Sequence, residues 1–307
     1  MESTILDNHT NMLNPTAIAL GFFDGIHLGH KHLINEMKNK AYKGNLTSCV
    51  LTFNQHPLNL TFPKYAPKLI SSNEEKEKLF STMDIDKLLF LNFNEEMMNY
   101  KPEDFVREIL VTQLKAKYLI IGFNYNFGRK GTGTPDHLIN LGKKYGFEVS
   151  IVKPFEVNKQ IISSTFIRNL IVSGKVETVK KYLGRNFSIT GIVVKGKELG
   201  KTYNIPTANI KIKNDRITPK PGVYYTSVEY NNKKYHGLTN VGYNPTFNNH
   251  PFSIETYILD FNEDIYHKQI SVTFNKRIRD EKKFDCLDDL INQIRNDIAL
   301  IRETYTR

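Results

Sequence analysis

Two cysteines in 307 residues are too few for a disulfide framework, and Cys49 and Cys286 form no Cys-x-x-Cys pair. A protein of a reducing cytoplasm is the expectation. Long apolar runs are also missing. Stretches such as Tyr118-Leu-Ile-Ile121 fall far short of the roughly 20 residues a spanning helix needs. The N-terminus, Met1-Glu-Ser-Thr-Ile-Leu-Asp7, has neither a basic start nor an apolar stretch, so no secretory signal is read there. No run of five basic residues and no arginine-rich tail occurs, and no Gly-x-x-x-x-Gly-Lys-Ser/Thr phosphate loop. A nucleic-acid surface is therefore not expected. Yet Lys+Arg exceed Asp+Glu by 42 to 32, a net charge of +10 that suits anionic partners such as nucleotides or phosphorylated metabolites.

With 40% hydrophobic residues the chain has material for real cores, and its length favours two domains. The first half alternates. Strands are predicted at 16–21, 48–53, 87–92, 118–121 and 148–152, and helices at about 30–43, 73–83, 103–114 and 136–145. This alternation predicts an α/β domain with a parallel sheet covered on both faces. Near Gly184-Arg-Asn-Phe187 the character changes. β-rich runs follow at 188–194, 222–230, 234–241, 254–261 and 269–278, which predict an antiparallel barrel or sandwich. A helix at 287–302 closes the chain, with Leu290, Ile291, Ile294, Ile298 and Ile301 on one face. The domain boundary is placed at 185/186.

The strongest local signal is Gly21-Phe-Phe-Asp-Gly-Ile-His-Leu-Gly-His30, where a strand passes into a helix. Ligands of open α/β sheets bind beyond the carboxyl ends of strands. Gly21, Gly25 and Gly29 permit tight turns and close approach of a phosphate, and the helix offers free N–H groups to an anion. His27 and His30 are three apart, so both can face one side of the first turn and oppose charge on phosphate oxygens. The same spacing also fits two metal ligands, although no third ligand stands out, or two surface histidines with no task. Farther on, Ser163, Ser164 and Thr165 are hydroxyl donors suited to a helix N-terminus, and Arg168 lies one turn beyond. A capped helix with a surface arginine is the plain alternative.

Taken together these segments resemble the His-x-Gly-His nucleotidyltransferases, specifically the adenylyltransferase half of bacterial FAD synthetases. Thr52-Phe-Asn-Gln-His-Pro57, Gly122-Phe-Asn-Tyr-Asn-Phe-Gly128 and Ile162-Ser-Ser-Thr-Phe-Ile-Arg168 follow in the family's order. The resemblance implies a Rossmann-like FMN adenylyltransferase domain at 1–185. It implies that Gly21, Phe23, Asp24, Gly25, Gly29, Ser163, Ser164 and Thr165 bind ATP, with His27, His30 and Arg168 catalytic. His56, Asn124, Tyr125 and Phe127 would meet the flavin. Asn124 departs from the Asp of many relatives and supplies no negative charge. Asp24 has two readings, as an organiser of the turn and as a group near the metal.

The second half resembles the riboflavin kinase domain, a six-stranded barrel with a terminal helix, over 186–307. The resemblance rests on Gly191-Ile-Val-Val-Lys-Gly196, Gly200-Lys-Thr-Tyr-Asn-Ile-Pro-Thr-Ala-Asn209, Pro221-Gly-Val-Tyr224, Asn240-Val-Gly-Tyr-Asn-Pro-Thr246 and Glu255-Thr-Tyr-Ile-Leu-Asp-Phe261. It implies Thr207 and Asn209 at Mg²⁺, Gly196, Gly200 and Lys201 at ATP, and Glu255 as the base for the ribityl hydroxyl. Lys201, Asn204 and His267 stand where relatives usually carry Arg, Gly and Gly. The implied activity is bifunctional: riboflavin to FMN, then FMN to FAD with release of pyrophosphate. Mg²⁺ would accompany ATP, with no tightly bound cofactor, no membrane partner, and a homo-oligomer left open. A monofunctional adenylyltransferase with a weakened kinase domain and a flavin- or RNA-binding regulator are the alternatives.

Overall fold

The computed structural model describes residues 1–7, 10–196, 203, 205–243 and 252–305. By its contacts the chain divides into two compact units, Met1–Ser164 and Thr165–Arg307.

The first unit is built on six parallel strands, β1 (Glu2–Leu6), β2 (Thr16–Leu20), β3 (Thr47–Phe53), β4 (Lys87–Leu91), β5 (Ala116–Gly122) and β6 (Glu148–Val152). Their order is β1-β4-β3-β2-β5-β6. Alternation along the central strands feeds two cores. Ile18, Leu20, Cys49, Leu51, Leu119 and Ile121 point to one face, and Ala17, Ala19, Val50 and Ile120 to the other. The alanines of β2 leave room for the helix Leu28–Gly44, whose Leu33, Ile34, Met37 and Ala41 are buried in that second core. A two-stranded hairpin follows, β7 (Glu156–Val157) with β8 (Gln160–Ile161).

All five predicted strands of this half are present, within about two residues at their ends. The edge strand β1 is additional. It pairs in parallel with β4 and is mostly exposed, so it carries little apolar periodicity to announce it. The predicted helix at 103–114 is helical but wound largely at π pitch, over Phe105–Gln113.

In the second unit six antiparallel strands close a barrel. They are β9 (Phe187–Val194), β10 (Thr207–Lys211), β11 (Gly222–Tyr230), β12 (Lys233–Gly242), β13 (Ser253–Ile258) and β14 (Gln269–Arg279). The sixth strand, β10, is the Thr207–Lys211 segment that follows Ile205-Pro206. A chain of threonine hydroxyls runs through the barrel interior, with Thr226, Thr239 and Thr256 joined Oγ1 to Oγ1 at 2.8 and 2.9 Å. The helix Leu287–Tyr305 lays Ile294, Ile298, Ile301 and Tyr305 over Val223, Tyr225 and Leu238. Asp297 on its buried face is matched by Arg279 at 2.8 Å.

Candidate active site

The sheet order reverses between β2 and β5, because β3 and β4 lie on one side of β2 while β5 and β6 lie on the other. A doubly wound sheet opens its ligand crevice at such a point, beyond the strand carboxyl ends. From β2 the chain enters the Gly21–His30 turn, and from β5 it enters the 122–128 loop. The two segments singled out in the first half therefore flank one switch point.

Between β2 and the following helix the backbone takes left-handed values at Phe23 (φ 53°), Gly25 (φ 79°) and Ile26 (φ 41°). For Phe and Ile such values cost on the order of 1–3 kcal/mol each. Burial holds them, with Phe23 1% and Ile26 0% exposed. A Cβ on Gly25 would lie 3.0 Å from Cγ2 of Ile70. Asp24 is buried, and its carboxylate accepts the N–H of Ile70 (2.9 Å) and Ser71 (3.0 Å). Of the two readings of Asp24, these bonds supply the organiser of the turn.

His27 is the N-cap of the helix Leu28–Gly44. Its Nδ1 accepts the N–H of His30 at 3.2 Å. The two imidazoles stack at 3.5 Å between centroids. Burial, then the neighbouring His27 and Lys76, pushes His30 well below the ordinary histidine value. His30 is thus a neutral imidazole at neutral pH, and its buried Nδ1 has no hydrogen-bond partner among the described residues. Phe23 meets the His30 ring edge-on at 5.2 Å, and Gly29 closes on the ring of His27.

Two other first-half residues, His56 and Ser164, touch the turn. His56 meets Phe22 edge-on at 4.6 Å, and its Nδ1 accepts the N–H of Leu58 at 3.2 Å. Ser164 Oγ donates to the carbonyl of Asp24 at 2.9 Å, so the Ser164 hydroxyl is tied to the backbone of the turn. Ser163 is exposed. In the 122–128 loop Asn124 is exposed, half-buried Tyr125 stacks on Phe127 at 5.9 Å, and Phe127 is itself part of the core. Thr165 and half-buried Arg168 lie on the helix Ser164–Val172, which Ser164 begins.

Lys76 was missed by sequence reasoning. Its side chain is 0% exposed, and Nζ donates to the carbonyl of Phe22 at 2.9 Å. Thr52 Oγ1 donates to the same carbonyl, also at 2.9 Å. The available signal was a helix at 73–83 whose apolar Phe80 sits one turn from Lys76, which puts a lysine on the buried face.

The barrel carries a second constellation. Asn209 of β10, Glu255 of β13 and Asn240 of β12 are register partners in one row across three strands. Residues directly opposite point to one face, and the alternating burial of β10 and β13 puts that face outside the barrel. Ser253 Oγ donates to Glu255 Oε1 at 2.9 Å. Gly196, Thr207 and Asn209 line a cleft of about 330 Å³ together with Pro206, Asp264 and Tyr266. Glu255 lies next to it in register rather than among its lining residues. A Cβ on Gly196 would fall 2.2 Å from Nδ2 of Asn209, so the glycine lets the chain close over that amide. Gly200, Lys201 and Asn204 lie outside the described residues. His267 does not. It adopts φ 63°, a left-handed value His tolerates better than most residues, and its N–H reaches Val193 O at 2.9 Å.

Among the described residues no group of three or more His, Cys, Asp or Glu gathers to hold a metal, and no helix is long and apolar enough to cross a membrane. The oxygens of Thr207 and Asn209 are hard donors at the cleft wall. They fit a cation such as Mg²⁺ that takes most of its ligands from water and phosphate.

The FAD synthetase family profile matches residues 9–166 and the riboflavin kinase profile residues 183–305. The bifunctional riboflavin kinase/FMN adenylyltransferase of Bacillus subtilis is 35% identical, over 92% of this chain and 90% of its own. The protein of the same name from Buchnera aphidicola of Schizaphis graminum is 34% identical over 94% of each chain, and that of Escherichia coli K12 is 32% identical over 94% and 92%. A crystal structure from Streptococcus pneumoniae titled as a macrolide-efflux protein superposes with a TM-score of 0.87 at 32% identity, over 99% of both chains.

Proposed function

Because the chain belongs to the bifunctional riboflavin kinase/FMN adenylyltransferase family, an enzyme that makes FMN and FAD, we propose that its two reactions use the two constellations described above. The full-length match to enzymes with both activities sets aside the monofunctional and regulatory alternatives. We assign FMN adenylyltransferase to 1–185 and riboflavin kinase to 186–307. The family matches at 9–166 and 183–305 support this boundary, while the contact division falls earlier, after Ser164.

In adenylyl transfer the phosphate of FMN attacks the α-phosphorus of ATP and pyrophosphate leaves. An ionised phosphate is already a nucleophile, so the site has to position and to stabilise charge rather than remove a proton. The observation that carries the reading is the strained turn at the switch point, which stacks His27 and His30 at the first helical turn. His30 supplies a neutral N–H donor toward the triphosphate, and the free N–H groups of the helix start add to it. Gly21, Gly25 and Gly29 bring backbone close to phosphate, while Phe23 and Asp24 brace the turn from below. Ser163, Ser164, Thr165 and Arg168 serve the β- and γ-phosphates, Arg168 through its planar fork. His56, Asn124 and Tyr125 meet the flavin, and Phe127 supports that loop from the core.

In the kinase half the nucleophile is a ribityl hydroxyl, which benefits from a base. Glu255 takes that proton, and Ser253 orients its carboxylate. Thr207 and Asn209 hold Mg²⁺ at the cleft, with Gly196, Gly200 and Lys201 at ATP. When bound, the ion neutralises charge on the polyphosphate. We place the protein in the cytoplasm. Its two free thiols, Cys49 buried and pushed up to about 12 by that burial and Cys286 exposed, need no oxidising compartment.

Chromatographic product analysis of the purified chain tests this reading. With riboflavin, ATP and Mg²⁺, FMN should appear first and FAD after it, and a chelator should stop both steps. FMN accumulating with no FAD from either riboflavin or FMN would contradict the assignment of the first site.

A further inference from the structure

An ammonium buried to 0% exposure is an expensive way to fill space, since an unbranched apolar side chain would occupy the same volume. Lys76 is used nonetheless, and its contacts run to one place. Nζ donates to the Phe22 carbonyl at 2.9 Å and sits 3.9 Å above the centroid of the Phe22 ring. The edge of His56 meets that same ring, and Thr52 Oγ1 shares the carbonyl. Lys76 lies in the helix Asn73–Phe80, which Ser72 and Glu75 start with a reciprocal capping box. Immediately before that cap, the N–H groups of Ile70 and Ser71 bond the Asp24 carboxylate. The segment 70–76 therefore grips the turn at two points, Asp24 through backbone donors and Phe22 through an ammonium.

We propose that Lys76 is a positioning residue for adenylyl transfer, whose buried ammonium fixes the Phe22 carbonyl and ring and thereby holds the His27–His30 turn and the His56 loop in one working arrangement. The proposal rests on the reading that this turn carries the transfer. The titratable groups facing Nζ are Asp24 of the turn and His30 of the following helix, with His56 across the Phe22 ring. Burial draws Lys76 down to about 8, against a smaller opposing pull from Asp24. Its charge also disfavours a charged His30, which adds to burial in keeping that imidazole a neutral donor.

The test compares Lys76→Met and His30→Ala in the full chain. FMN-to-FAD kinetics, riboflavin-to-FMN rate and melting temperature are measured on each. Lys76→Met should lower kcat for FAD formation at least tenfold, leave the kinase rate unchanged and leave Tm equal or raised, because the buried charge is gone. The wild-type kcat/KM for ATP in FAD formation should decline as pH rises through about 8, and the variant should lack that limb. FAD formation by Lys76→Met within twofold of wild type overturns the proposal, as does a parallel fall of kinase rate and Tm, which would mark a merely structural lysine. Should the variant not fold, the wild-type profile decides alone, and a flat alkaline side overturns the proposal. If His30→Ala still makes FAD, the underlying reading of the turn fails and the proposal with it. If His30→Ala is inactive and Lys76→Met is normal, only the proposal fails.

Discussion

The ring of His27 does two jobs for His30: Nδ1 caps its backbone N–H at 3.2 Å, and the imidazole stacks on its side chain at 3.5 Å. Substitution separates the two. Asparagine is a good N-cap but has no ring. His27→Asn should keep the stability of the wild type and lose much of its FAD formation. His27→Ala should lose the activity and also about 1 kcal/mol of stability. Denaturant melts beside FAD-formation rates read both effects. Equal stability of the two variants would remove the cap from the account.

Gly196 is a tight fit in the kinase half, with a Cβ there falling 2.2 Å from the Asn209 amide nitrogen. Either the chain at 196 or the side chain of Asn209 must give way in Gly196→Ala. Riboflavin phosphorylation should fall at least tenfold while FAD formation from exogenous FMN is unchanged. A normal kinase rate would show that Asn209 is not needed where it stands.

Lys76 also predicts a pH dependence of stability. Its folded value of about 8 lies below the ordinary 10.5, so between these the unfolded chain binds the more protons. Stability from this one group therefore rises with pH across that window, and the cost of the buried charge is fully present below it. The full span is worth on the order of 3 kcal/mol. Relative to Lys76→Met, the wild type should gain unfolding free energy between pH 7.5 and 10, measured by denaturant titration. A difference that stays constant, or moves the other way, contradicts the buried charged state.

Much of this was legible in the sequence for identifiable reasons. The buried strands β2 to β5 announce themselves as short apolar runs ending in glycine or polar turns, and the Gly21–His30 turn by its glycine and histidine spacing. Less visible were features whose cause is tertiary. Strand β1 is an exposed edge recruited by pairing with β4, and the π pitch of Phe105–Gln113 has no counterpart in a pattern of apolar spacing. The ladder Asn209, Glu255, Asn240 depends on register across three strands, so the motif that begins at Asn240 gives no sign that it stands beside Glu255. Lys76 lies in the predicted helix at 73–83, whose many charges hide which face is buried. Asp24 was legible as an organiser of the turn, but not its partners, which are backbone amides 46 and 47 residues away.

The central claim is that two chemistries sit on two separate sets of residues, His27 and His30 in one and Glu255 with Asn209 in the other. Time-resolved separation of flavin products from His30→Ala and Glu255→Ala tests it most directly. With riboflavin, ATP and Mg²⁺, His30→Ala should stop at FMN. Glu255→Ala should leave riboflavin untouched yet turn supplied FMN into FAD at the wild-type rate. Loss of both steps in either properly folded variant, or of neither, would contradict the account.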